Sequence, residues 1–83
     1  QILRVQVPNN VAFDTLLDEP FLKYTHSSEL ISVDSIHSGL LTELTYSIGM
    51  KSASQVQSFL TEIKQLNGNN KVTLIAGYNS TDF

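Results

Sequence analysis

The chain predicts a single α+β sandwich, and three patterns carry that prediction. Residues 29–50 alternate as two strands around Ser38-Gly39. A helical stripe lies on each side, at 13–24 and 53–66. Short apolar runs stand at both ends. The element order is therefore strand, helix, strand, strand, helix, strand. With right-handed crossovers it closes most readily as a ferredoxin-like arrangement, a four-stranded antiparallel-type sheet in the order 4-1-3-2 with both helices on one face.

Each element has a local reason. From Ile2 to Val7, Leu3, Val5 and Val7 fall on one face and Ile2, Arg4 and Gln6 on the other, as in a half-buried strand. Pro8-Asn9-Asn10 ends it, because proline donates no ladder hydrogen bond and asparagine favours turns. Phe13, Leu16, Leu17, Phe21 and Tyr24 form one helical stripe, with Asn10 or Asp14 as candidate caps. Pro20 inside that stripe predicts a kink, or a break with a restart after Asp18.

In the hairpin, a two-residue turn at Ser38-Gly39 pairs Val33 with Leu44 and Ile31 with Tyr46, all on the covered face. On the other face Asp34 meets Glu43, Ser32 meets Thr45, and Ile36 meets Leu41. Ser52 and Gln55 read as a capping box for the second helix, whose buried stripe is Ala53, Val56, Phe59, Leu60, Ile63 and Leu66. Gly68 ends that helix in a left-handed conformation. The last strand spans 71–76, with Val72, Leu74 and Ala76 inward. The domain is read as residues 1–77, followed by a flexible polar tail at 78–83.

Composition excludes more than it assigns. The net charge is −3 and the five basic residues are scattered, so no basic face offers itself to nucleic acid. The chain lacks cysteine, which removes disulfides and thiolate zinc sites. No apolar run approaches the roughly 20 residues that span a bilayer. The chain begins at Gln1 and enters a strand almost at once, which reads as a piece of a longer polypeptide. There is no Gly-x-Ser-x-Gly elbow, no phosphate loop and no dinucleotide fingerprint. No catalytic, cofactor-binding or metal-binding residue is assigned, and no cofactor is expected.

The remaining chemistry is sparse. Asp34 and Glu43 form a like-charged cross-strand pair, read as a solvated face with Arg4 as neutraliser. The alternative is a small hydrolase or phosphoryl-handling site built from the same three residues. His26 and His37 are read as surface histidines, and Asn79-Ser80-Thr81 as a chance glycosylation match. The uncovered sheet face should carry Ile2, Leu30, Ile36, Leu41 and Ile75 among Arg4, Asp34, Glu43 and Thr45. That is apolar enough to predict a contact surface. Ile2, Arg4, Asp34, Ile36, Leu41, Glu43 and Ile75 are the candidate interface.

Lys23-Tyr24-Thr25, Glu29-Leu30, Gly39, Glu43-Leu44-Thr45-Tyr46 and Gly68-Asn69 carry a likeness over most of residues 3–75. There the chain resembles the soluble C-terminal domain of the bacterial membrane proteins called domain of unknown function 4956. Ser28-Glu29-Leu30 stands where that family has His-Glu-Leu, and Pro20 interrupts a helix that is usually continuous.

The resemblance implies an ACT-like or ferredoxin-like domain on the cytoplasmic face of the inner membrane, with a membrane domain upstream in the same polypeptide. It brings no catalytic residues. The expected function is non-enzymatic: self-association through the open sheet face or a sheet edge, or regulation by an unidentified small molecule. A protein–protein adaptor that docks a partner's strand is the further alternative.

Overall fold

The structure, a computed structural model, describes residues 1–76 and 79–82, with all their side chains except those of Asp14, Ala76 and residues 79–82. It is an α+β fold with one antiparallel sheet. Strand β1 (Ile2–Pro8) is central, and the strand order is β2-β3-β1-β4-β5. β2 spans Thr25–Ile36, β3 Leu41–Met50, β4 Val72–Ala76 and β5 Asn79–Asp82. The first four strands stand in the sequence-predicted order. The sheet is five-stranded rather than four-stranded, because Asn79–Asp82, expected in a tail, pair with β4. The rest of that tail (Tyr78 and Phe83) and the preceding Gly77 lie outside the described residues, as does the side chain of Ala76.

Alternation in β1 sets the core. Leu3, Val5 and Val7 are wholly buried, and each faces a β3 partner: Tyr46, Leu44 and Thr42. Leu74 and Val72 of β4 flank Leu3 and Val5 on the other side. Phe59, Leu60 and Ile63 of α3 (Val56–Leu66) cover this layer and are also fully buried. Leu66 and Ala53, expected in the same stripe, are exposed. The stripe is therefore one turn shorter at each end, and Ala53 lies in the 3-10 turn that precedes the helix.

The first helical segment is broken. α1 (Phe13–Leu16) and α2 (Asp18–Tyr24) are separated by Leu17, whose ψ of 6° leaves the helical region. The break places Pro20 third in α2. Backbone N–H groups there have no intrahelical partner, so proline removes nothing. Neither expected cap operates: Ala12 holds the cap position of α1, without a side-chain hydrogen bond.

The predicted capping box at α3 is also not formed. Ser52 Oγ pairs with Ser54 Oγ at 2.8 Å, and a 3-10 turn at Ala53–Gln55 leads into the helix. The far end of α3 follows the sequence: Gly68 has φ 70°, and Asn69 N–H donates to Lys64 O at 3.1 Å, closing a Schellman turn. Asn67, unremarked in the sequence, is fully buried there. Its Nδ2 donates to Gln6 O at 2.9 Å and to Asn70 O at 3.0 Å, tying the helix end to β1.

The hairpin register holds near the turn and slips twice, at Ile31 and again at His26. Ile36–Leu41, Asp34–Glu43, Val33–Leu44 and Ser32–Thr45 pair as the sequence predicts. Leu40 N–H donates to His37 O at 3.2 Å around Ser38-Gly39, both at positive φ. Asn9 braces the turn, donating to Gly39 O and accepting from Thr42 Oγ1. Between Leu30 and Ser32 the register shifts, leaving Ile31 unpaired. Tyr46 therefore faces Leu30, not Ile31, and Leu30 moves from the open face to the helix side. Val33 and Ile31 stay about half exposed at 48% and 54%, because β2 is an edge strand that the helices only partly cover.

The bulge makes a test. Deleting Ile31 leaves both flanking registers intact, so stability should change by less than about 1 kcal/mol in chemical denaturation, as for a surface change. Deleting Thr45 from bulge-free β3 turns half its core residues outward and should abolish the cooperative transition.

Candidate functional site

Strand parity gathers the candidate interface on the face opposite the helices. The pairings arrange it in rows across the sheet. Ile36, Leu41 and Pro8 form one end row; Asp34, Glu43 and Gln6 follow. Ser32, Thr45, Arg4 and Thr73 come next, then Glu29, Ser47, Ile2 and Ile75. All seven candidate residues lie in these rows. Arg4 and Asp34 are exposed, and the others are half-buried.

The acidic pair forms as expected, but the side chain that bonds to it is Gln6 rather than Arg4. Gln6 Nε2 donates to Glu43 Oε2 at 3.3 Å, whereas Arg4 pairs across the ladder with Thr45. Among the described residues the one ion pair is Lys23–Glu62, at 2.7 Å. Among the described residues Arg4 makes no ion pair with Asp34 or Glu43.

The two histidines are exposed and far from forming a cluster. His26 lies in a β2 irregularity with its ring over Gly49, where a Cβ would come within 2.5 Å of the ring. His37 precedes the hairpin turn at φ 52°. Among the described residues no three His, Asp or Glu side chains are placed to hold a metal ion.

The residues that carry the family resemblance serve the fold. Lys23 Nζ and Tyr24 Oη both donate to Glu62 Oε1, at 2.7 and 3.3 Å, clamping α2 to α3. Thr25 Oγ1 donates to Phe21 O at 2.6 Å and closes α2. Tyr46 meets Phe21 edge-on, with ring centroids 4.8 Å apart.

The helix side holds a second feature, which the sequence reading missed. A cavity of about 270 Å³ opens between α1, α2 and the β2–β3 ladder. Phe13, Leu17, Phe21, Leu30 and Tyr46 supply its apolar wall, and Asp18 and Ser28 its polar groups. It runs on to a shallower depression, which shares Asp18, Phe21 and Ser28 and extends to Leu22, Thr25, His26 and Ser27. The Ile31 bulge creates this lining by turning Leu30 and Ser28 toward the helices. The adjacent apolar pair Leu30-Ile31, which breaks strict alternation, was the available signal.

Burial pushes the Tyr46 phenol above its ordinary pKa, and the charge of Asp18 adds to the shift. No family model, curated protein or solved structure matches the chain.

Two predictions follow from these side chains. Replacing Asp34 by Lys converts a like-charged cross-strand pair to an attractive one and should stabilise the domain by about 0.2–1 kcal/mol. The gain should shrink between low and high salt in thermal melts. For Tyr46, the neutral phenol is favoured in the folded state. Its contribution is complete below about pH 10, the unfolded value, and is lost as pH rises through the higher folded value. Denaturation between pH 8 and 11 should show a fall in stability that is smaller in Tyr46→Phe.

Proposed function

We propose that this chain is a non-enzymatic self-association domain that uses the open sheet face to meet a second copy. The observation that carries the reading is the order of the rows: an apolar row, an acidic row, a polar row with Arg4, and a mixed row in which Ile2 and Ile75 stand beside Ser47 and Glu29. Consider a twofold axis between two stacked sheets, parallel to their planes and perpendicular to the strands. It lays each strand over its own copy with the rows reversed, so that Pro8 of one copy meets Ile2 of the other and Ile36 meets Glu29. It also brings the Asp34–Glu43 row over the row that contains Arg4. The acidic row of each copy thus faces the row that holds Arg4 of the other, the match of charge that favours a twofold interface.

The strand order and the single layer of helices are compatible with the ferredoxin-like, ACT-like arrangement. The resemblance to domain of unknown function 4956 supports a domain on the cytoplasmic side of a larger bacterial membrane protein, where association would couple neighbouring copies. No helix among the described residues is long and apolar enough to cross a membrane.

A second reading rests on β2. It is a 12-residue edge strand without Lys, Arg or Pro, and Leu30, Ile31 and Val33 are 44–54% exposed. Natural edge strands usually carry such blocking residues, so β2 suits a docked strand.

Sedimentation velocity across a concentration series distinguishes the readings. Face-to-face association predicts a monomer–dimer equilibrium that Ile36→Asp and Ile75→Asp each weaken at least about tenfold, as burial of a charge in an apolar contact demands. Val33→Lys should leave it intact. Loss on Val33→Lys alone would assign association to the edge, and a strict monomer at every concentration overturns both.

A further inference from the structure

The cavity on the helix side has its own chemistry, separate from the open face. Three of its walls are aromatic: Phe13, Phe21 and Tyr46. Asp18 stands at its rim as a carboxylate. Among the described residues no cation pairs with Asp18. Lys23 is engaged by Glu62, and Lys51 Nζ donates to Leu22 O at 3.0 Å. The Asp18 carboxylate, the Ser28 hydroxyl and the Tyr46 hydroxyl make no hydrogen bond to any described residue. Asp18 is nonetheless close enough to raise the Tyr46 pKa.

A mostly apolar concavity with a few convergent polar groups is the usual form of a small-molecule site. Its size, about 270 Å³, is near the lower end of such sites. Aromatic faces attract cations through the ring quadrupole, and an unpaired carboxylate adds direct Coulomb attraction. The same groups repel an anion.

The geometry points to the cavity between α1, α2 and β2 as a binding site for a small organic ammonium compound with a short apolar body. The ammonium lies at Asp18, within reach of the Ser28 and Tyr46 hydroxyls. The apolar body rests against Phe13, Phe21 and Leu30. The site takes shape only because the bulge at Ile31 turns Leu30 and Ser28 inward. It lies across the sheet from the proposed association face, so one can fail without the other.

Titration of the isotope-labelled chain with phenethylammonium, followed by amide chemical shifts, tests the site. The neutral analogue is benzyl alcohol and the anionic one 3-phenylpropionate. Shifts should concentrate at Asp18, Phe21, Ser28, Leu30 and Tyr46. The ammonium should bind with a Kd of about 1 mM, the range open to a fragment of this size. The propionate should bind at least about tenfold more weakly, as a charge-assisted hydrogen bond at the rim implies. Asp18→Asn should erase most of that preference and Asp18→Glu should restore it.

Ser28→Arg, on an exposed edge strand, keeps the fold independent of the first turn of α2 and should invert the preference toward the propionate. Equal affinity for the two charged probes in the unmodified chain overturns the proposal. So do shifts centred elsewhere, or a preference that survives both Asp18→Asn and Ser28→Arg.

Discussion

Parity in β1 is the constraint on which the molecule rests. A strand between two others has no freedom to slide, because one residue of slip turns Leu3, Val5 and Val7 outward together. Once β1 is fixed, β3 and β4 inherit its inward set: Leu44 and Tyr46 on one side, Val72 and Leu74 on the other. Asn67 adds a polar lock by donating to Gln6 O, which holds the α3 end against the same strand. The outward set is fixed by the same rule, so the candidate contact face is a by-product of how the core is ordered.

The edge strand β2 obeys the rule only in part, and that matters for function. It is bonded on one side and can absorb an extra residue. The bulge at Ile31 divides it into two halves of opposite parity. The half near the turn contributes Asp34 and Ile36 to the open face. The half near α2 contributes Leu30 and Ser28 to the cavity. One local irregularity therefore supplies residues to both surfaces without disturbing β1 or β3.

What could be read from the sequence follows from how local each signal is. The alternation of β1, the stripe of α3, the turn at Ser38-Gly39 and the break near Pro20 all depend on a few neighbouring residues, and all were legible. The start of α3 was not, because a 3-10 turn stands where the capping box was expected and Ser52 pairs with Ser54 instead. Asn67 was missed because burial of an amide depends on a distant strand. The seven open-face residues were legible as a set because parity alone selects them. The cavity was not, because it needs the bulge, the broken helix and the packing of α2 against β3 at once.

The two surfaces are also energetically separable. Between them lies a layer of fully buried side chains from β1, β3 and β4, packed under α3. An interior at close-packed density transmits strain but resists small rearrangement. A contact on the open face would therefore be felt in the cavity through β2 and β3, which both reach the two surfaces, and of these β2 is bonded along a single edge. The bulge is where its two halves meet, so the share of any coupling that β2 carries would pass through Ile31. A continuous strand would carry a shift along its whole length, whereas an unpaired residue gives the two halves room to move apart.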